Sequence, residues 1–154
     1  MNLTHVVIHC DGACLGNPGP GGYAALLMLQ GAKEERVVCG FEYDTTNNRM
    51  ELRAAIEGLR ALKRKCRVQL FSDSQYVIKG MSEWMAGWLK TGFKNARKKD
   101  IANADLWRDL MEAAAGHQIT WHWVKGHAGN EFNERVDEIA SEQAGLALHQ
   151  LKKN

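Results

Sequence analysis

"DGACLGNPGPGG", residues 11–22, decides how this chain can fold. It follows the apolar run "THVVIHC" (4–10) and holds five glycines together with the chain's only two prolines. A phosphate-binding loop here would lead into a helix and open the fold on a β–α unit. The segment matches neither phosphate template. Gly16 and Gly21 have the outer spacing of G-x-x-x-x-G-K-S/T, but Gly22 and Tyr23 follow where Lys and Ser or Thr are required. A dinucleotide fingerprint must run into a helix, whereas "YAALLMLQ" (23–30) reads as a strand. Pro18 and Pro20 also lack the backbone N–H that a phosphate cradle uses. Residues 18–22 therefore read as a turn between strands, which leaves the carboxylate of Asp11 without a role.

On either side of the turn, "THVVIHCDG" (4–12), "GYAALLMLQG" (22–31) and "EERVVCGFEY" (34–43) predict three strands in an antiparallel meander. In "TTNNRMELRAAIEGLRALKRK" (45–65), Leu52, Ala55, Ile56, Leu59 and Leu62 recur at helical spacing, with Thr45, Thr46 or Asn47 able to cap. "RVQLFSDS" (67–74) alternates as a strand, and Ser74 can cap a short helix "QYVIKGM" (75–81). Residues 82–100 are rich in Trp and Lys with weak helical periodicity. "NADLWRDLMEAAAG" (103–116) predicts a capped amphipathic helix, "QITWHWV" (118–124) a strand, "KGHAGN" (125–130) a loop and "EFNERVDEIASEQAG" (131–145) a closing helix.

This order predicts one α/β domain over residues 1–154. Its five-stranded mixed sheet has three antiparallel strands first and two further strands after, flanked by helices. The tail, 147–154, is expected to fray. Trp107, Trp121 and Trp123 read as core residues, and His122 as structural.

Composition, with 45% apolar and 25% charged residues, is that of an ordinary globular protein and excludes fibrous and disordered classes. No apolar run nears the roughly 20 residues needed to span a bilayer. "MNLTHVVIHC" (1–10) has no basic segment ahead of a long apolar stretch, so no signal peptide and a cytoplasmic location are expected. Cys10, Cys14, Cys39 and Cys66 form no C-x-x-C pair, so reduced thiols packing in the fold are preferred to a zinc site. The net charge of +2 says little by itself. Its distribution says more: residues 60–67 carry five cations without an anion, and 88–99 another five beside aromatic residues. Such patches suit a polyanionic partner.

Four acids stand apart from the apolar pattern. Asp11 and Asp73 each end a strand, where mixed α/β sheets commonly build their sites. Glu51 lies near the start of the first long helix, where a first-turn acid or capping-box partner of Asn48 is the plain alternative. Asp137 lies at the edge of the last helix's apolar stripe, where a solvated acid is the plain alternative. No one of the four decides. Converging carboxylates, however, are tenable only when cations neutralise them. All-oxygen donors suit Mg²⁺ or Mn²⁺. Two such ions roughly 4 Å apart can clamp the attacking and leaving oxygens of a phosphodiester.

"DGACLGNPGPGGYA", "TTNNRMELRAA", "SDSQYVIKGM" and "WHWVKGHAGNEFNERVDEIA", in this order and spacing, resemble bacterial type 1 ribonuclease H over residues 5 to 145. The resemblance implies a ribonuclease H-like fold and a monomeric, Mg²⁺-dependent endonuclease. It would cut the RNA strand of an RNA–DNA hybrid with two metal ions, with Mn²⁺ as a possible substitute, and leave 3′-hydroxyl and 5′-phosphate ends. Asp11, Glu51, Asp73 and Asp137 match the metal-binding catalytic acids. His127 matches a catalytic histidine of proton transfer or product departure.

Gly12, Cys14, Asn17, Asn47, Asn48 and Gln75 match positions that read the minor groove, where the 2′-hydroxyl marks RNA. Residues 82–100 resemble the family's basic handle, with Trp84, Trp88, Phe93, Lys90, Lys94, Lys98 and Lys99 toward the DNA strand. Packing of Trp84 and Trp88 on the core is the plain alternative. Thr46 and Asn103 match positions that hold a DNA phosphate. Gly87, Leu89, Phe93 and Asp100 depart from the usual handle. A hybrid-binding module without activity would keep the handle but need no four-acid set. An integrase-like nuclease would not carry "TTNNRMEL" and the handle together, and a thiol enzyme at Cys10 or Cys14 lacks a His partner.

Overall fold

The computed structural model of the protein describes residues 3–30, 34–126 and 130–153. Strands β1 (Thr4–Cys14), β2 (Gly19–Leu29) and β3 (Glu35–Thr45) come first, followed by α1 (Asn47–Arg60) and β4 (Cys66–Ser72). Next are α2 (Gln75–Lys79), a π-helical turn (Gly80–Trp84), α3 (Met85–Thr91), α4 (Ala104–Ala114), β5 (Gln118–Trp123) and α5 (Glu131–Lys153). The sheet has the order β3-β2-β1-β4-β5. β1 pairs antiparallel with β2, and β2 with β3; β1 with β4 and β4 with β5 are parallel. The expected mixed sheet is therefore observed, with the meander on one side and the two parallel strands on the other.

The turn after Asp11 is shorter than its sequence suggested. β1 continues to Cys14 and β2 begins at Gly19, with a register shift between Gly19 and Gly21. The Leu15 N–H donates to the Pro20 carbonyl at 2.7 Å and closes the turn. Gly21 and Gly22 are thus strand residues rather than turn residues, because a glycine-rich strand leaves room for what packs on it.

Alternation along the strands divides the apolar residues between two faces. Val6, Ile8 and Cys10 of β1, with Ala25 and Leu27 of β2, meet Leu52, Ala55, Ile56 and Leu59 of α1. That layer extends to Trp107 and Leu110 of α4, both fully buried. On the opposite face, Ala24 and Leu26 meet Val136 and Ala140 of α5. The small residues Ala140, Ala144 and Ala147 let α5 lie close to the sheet.

α1 starts where Thr46 Oγ1 accepts from the Arg49 N–H at 3.2 Å, which selects one of the three candidate caps. Ser74 caps α2 in the same way at 3.2 Å. α2, the π-helical turn and α3 follow one another without a break from Gln75 to Thr91, so the expected handle begins as a helix.

Three expectations need correction. Residues 147–153 do not fray from the fold but continue α5 to Lys153, because Ala144 and Ala147 extend its buried stripe. Trp107 is core and Trp121 packs against it, but Trp123 is 47% exposed. Phe93, assigned to the DNA-facing surface, is buried, with the Arg108 guanidinium 5.0 Å above its ring.

Candidate active site

The parallel register brings the first two acids together. Cys10 pairs with Ser72 at the end of the parallel ladder, so Asp11, still inside β1 rather than at its end as expected, and Asp73, just past β4, lie side by side. α1 crosses this point with Glu51 facing the sheet. A Cβ on Gly12 would lie 2.5 Å from Glu51 N and from the Met50 carbonyl carbon, so only glycine lets α1 approach this closely. The Gly12 N–H donates to Glu51 Oε1 and, at 2.9 Å, to Asp11 Oδ1.

Asp11, Glu51 and Asp73 each present an oxygen within 4.8 Å of the others. Asp11 and Glu51 are buried, and Asp73 is partly buried. Asp137 lines the same cleft of about 390 Å³ but stands outside that tight group. Gly12, Asn47, Asn48 and Gln75 also line it, together with Ser74 and Tyr76. His127 lies outside the described residues.

Burial without water or a cation disfavours charge on these groups. It pushes the Asp11 carboxyl up to about 7, and the negative charges of Asp73 and Asp137 add to the rise. Glu51 is pushed well above the usual carboxylate range, by burial first and then by Asp11. The Cys10 thiol is driven up by burial and by Glu51, Asp11 and Asp73 in turn. Cys14 is raised as well, chiefly by burial. Neither thiol is a ready nucleophile at neutral pH. The three converging carboxylates of Asp11, Glu51 and Asp73 offer an all-oxygen donor set of the kind a hard divalent cation takes, and the two buried acids give such a cation a reason to bind.

Asn17 and Cys14, matched to the minor groove, and Asn103, matched to a DNA phosphate, do not line the cleft, but Asn17 and Asn103 are bonded to Asn47 and Tyr76, which do. Asn17 Oδ1 accepts from the Asn47 N–H at 3.1 Å, tying the β1–β2 turn to α1. Cys14 Sγ lies 3.5 Å from the carbonyls of Gly19 and Thr45. Asn103 has a left-handed backbone, φ 58°, and does not cap α4 with its side chain. Its amide instead donates to Tyr76 Oη at 3.0 Å and accepts from Arg49 Nη1 at 3.3 Å. Trp107 Nε1 also donates to Tyr76 Oη, at 3.0 Å. Tyr76 and Arg49 were missed in the sequence; adjacency to Gln75 and Asn48 was the only local signal.

In the segment 82–100, expected to form a handle, Trp88 packs 4.8 Å from Trp107, while Trp84 remains 39% exposed. Lys94 is engaged by Asp100 at 2.6 Å, whereas Lys90, Lys98 and Lys99 are exposed and form no ion pair among the described residues.

The RNase H family profile matches residues 4–145. The chain belongs to the ribonuclease H family. It is 57% identical to the ribonuclease H of Erythrobacter litoralis over 144 residues, covering 94% of this chain and 99% of that one. LC9-RNase H1, a type 1 RNase H with the type 2 active-site motif, has a crystal structure similar to this chain with a TM-score of 0.85. The two are 37% identical, over 94% of this chain and 74% of the other. LC11-RNase H1, crystallised with an RNA/DNA hybrid, shares the fold at a TM-score of 0.70 and 20% identity, over 93% of this chain and 99% of the other. Ribonuclease H membership accounts for the five-stranded mixed sheet flanked by helices. No helix among the described residues is long and apolar enough to cross a membrane.

Proposed function

We propose that this protein is an endonuclease that hydrolyses the RNA strand of RNA–DNA hybrids and leaves 3′-hydroxyl and 5′-phosphate ends. The observation that carries this reading is the approach of Asp11, Glu51 and Asp73 to within 4.8 Å at the floor of an open cleft. Asp11, Glu51 and Asp73 would hold divalent cations, Mg²⁺ or in substitution Mn²⁺, with Asp137 at the rim. When bound, two such cations would neutralise charge and act as Lewis acids on a phosphodiester.

The chain's own groups prepare that site. The Gly12 N–H orients the Asp11 and Glu51 carboxylates before any cation arrives. Asp11 holds its proton up to about pH 7 and must release it to become a ligand. Asn47, Asn48, Gln75 and the Gly12 backbone present small polar groups to a minor groove, where a 2′-hydroxyl distinguishes RNA from DNA. Cys14 and Asn17 extend that surface along the β1–β2 turn. Thr46 and Asn103 would receive a phosphate of the DNA strand, whose further course follows Trp84 and the free cations Lys90, Lys98 and Lys99. His127, which matches the family's catalytic histidine, would assist proton transfer or product departure. One chain supplies all four acids, which supports a monomer.

Incubation of labelled RNA–DNA hybrid, duplex RNA and duplex DNA with Mg²⁺, with and without EDTA, tests the reading. Only the hybrid should be cut, only on its RNA strand and only without EDTA. Retention of intact hybrid in Mg²⁺ would make the protein a binding module instead.

A further inference from the structure

Trp123 is the last residue of β5 and is 47% exposed, so apolar burial does not account for its place. Its indole Nε1 donates to the carbonyl oxygen of Asp73 at 3.0 Å. The β4–β5 ladder ends at the pair Ser72–Trp123, so that carbonyl is the first one beyond the ladder. The first turn of α2 does not reach it either. Val77 N–H goes to Ser74 Oγ and Ile78 N–H to the Ser74 carbonyl, both at 3.2 Å. Among the described residues, the indole is the donor that Asp73's main chain has.

The residues after Trp123 complete the enclosure. Val124 N–H donates to the Ser72 carbonyl at 3.0 Å, and Ser74 N–H donates to Ser72 Oγ at 3.0 Å. A Cβ on Gly126 would lie 3.0 Å from Asp73 Oδ2, so the bare Cα of Gly126 rests against the carboxylate itself. Residues 123–126 thus bound Asp73 on the edge-strand side, at the main chain through the indole and at the carboxylate through Gly126.

We propose that Trp123 is a positioning residue for Asp73, its indole N–H fixing the peptide that carries a metal-ligand carboxylate. The proposal rests on the metal reading above. Asp73 occupies a junction between a strand that has ended and a helix that has not begun. Without the indole N–H that peptide keeps only the bond from the Ser74 N–H to Ser72 Oγ, and a tilt about this single anchor carries the carboxylate away from Asp11 and Glu51. Partners of this kind hold ligands at their working angle, and losing one commonly weakens metal binding by about tenfold or more.

Two variants test it by different routes. Trp123→Phe keeps an aromatic ring at the pocket that Trp123 lines with Gln75 and Ile78, but removes the N–H. Gly126→Ala adds the methyl group beside Oδ2. Mn²⁺ titration by calorimetry, with thermal melting alongside, should give a Kd about tenfold weaker in Trp123→Phe and weaker also in Gly126→Ala. In cleavage assays the Mg²⁺ needed for half-maximal rate should rise, while KM for the hybrid stays within about twofold, since no substrate contact is removed. Mn²⁺ affinity equal to wild type in both folded variants overturns the positioning role alone. Wild-type protein that takes up no Mn²⁺ overturns the metal reading and this inference with it.

Discussion

The backbone N–H of Gly12 on β1 donates to the carboxylate of Glu51 on α1. Sheet and helix are therefore joined at the floor of the cleft by one bond between residues 39 apart in sequence. That contact requires a glycine. In Gly12→Ala the added Cβ would lie 2.5 Å from α1 backbone atoms, which cannot move aside as a side-chain tip would. A loss of at least about 2 kcal/mol is expected. Thermal melting should fall by roughly 5 °C or more. A melting point unchanged from wild type would mean that α1 can shift away freely.

Asp11 sets a pH dependence whose direction differs from the usual carboxylate case. Its folded pKa, about 7, lies above the ordinary 3.8. The stability it contributes is full below the ordinary value and is lost as pH rises through the folded one. In EDTA, Asp11→Asn should therefore melt above wild type at pH 8 and close to it at pH 4. Added Mg²⁺ should stabilise wild type at pH 8 far more than the variant. The same substitution should abolish hybrid cleavage. Equal melting curves in EDTA at pH 8 would contradict the buried, cation-free carboxylate.

The handle's cations divide into free and engaged. Replacing Lys90, Lys98 and Lys99 together by Ala should raise KM and reduce the slope of log affinity against log salt by about one for each phosphate contact removed. Lys94→Ala should do less, because Asp100 already occupies that ammonium. Measurement of hybrid binding across a salt series separates the two cases. An unchanged slope in the triple variant would remove the handle from the phosphate path.

Tyr76 Oη accepts from both Trp107 and Asn103. Tyr76→Phe leaves both donors without that partner and should cost about 1–3 kcal/mol. Because Asn103 loses one of its two side-chain anchors, KM for hybrid should rise as well. A variant with lowered stability but unaltered KM would confine Tyr76 to packing.

Much of this architecture was legible because it depends on local chemistry. The β-branched run before Asp11, the two prolines after it and the periodic leucines of α1 act within a few residues of themselves. The Thr46 cap is equally local, being a choice among three adjacent side chains. The position of Asp73 just past its strand followed from those boundaries, whereas Asp11 lies inside β1, because the glycines of β2 let the pairing run on to Cys14. Trp123 was misread because alternation puts it on the same face as Trp121, and alternation cannot report where the covering layer stops. Phe93 was misread for the opposite reason: a loop residue is buried only if a distant helix, here α4 with Arg108, closes over it. The tail was misread because Ala144 and Ala147 carry a weak apolar signal that becomes decisive only against the sheet.

The amino-acid order by itself determined the succession of strands and helices, the pattern of four acids and the basic segment, since each depends on neighbours along the chain. Only the tertiary structure decided that Asp11, Glu51 and Asp73 meet, that two of them lose their water, and that Trp123 turns its N–H toward Asp73. Proximity and burial depend on which distant elements cover a residue. The parallel pairing of β1 with β4 and the crossing of α1 over Gly12 supply that cover.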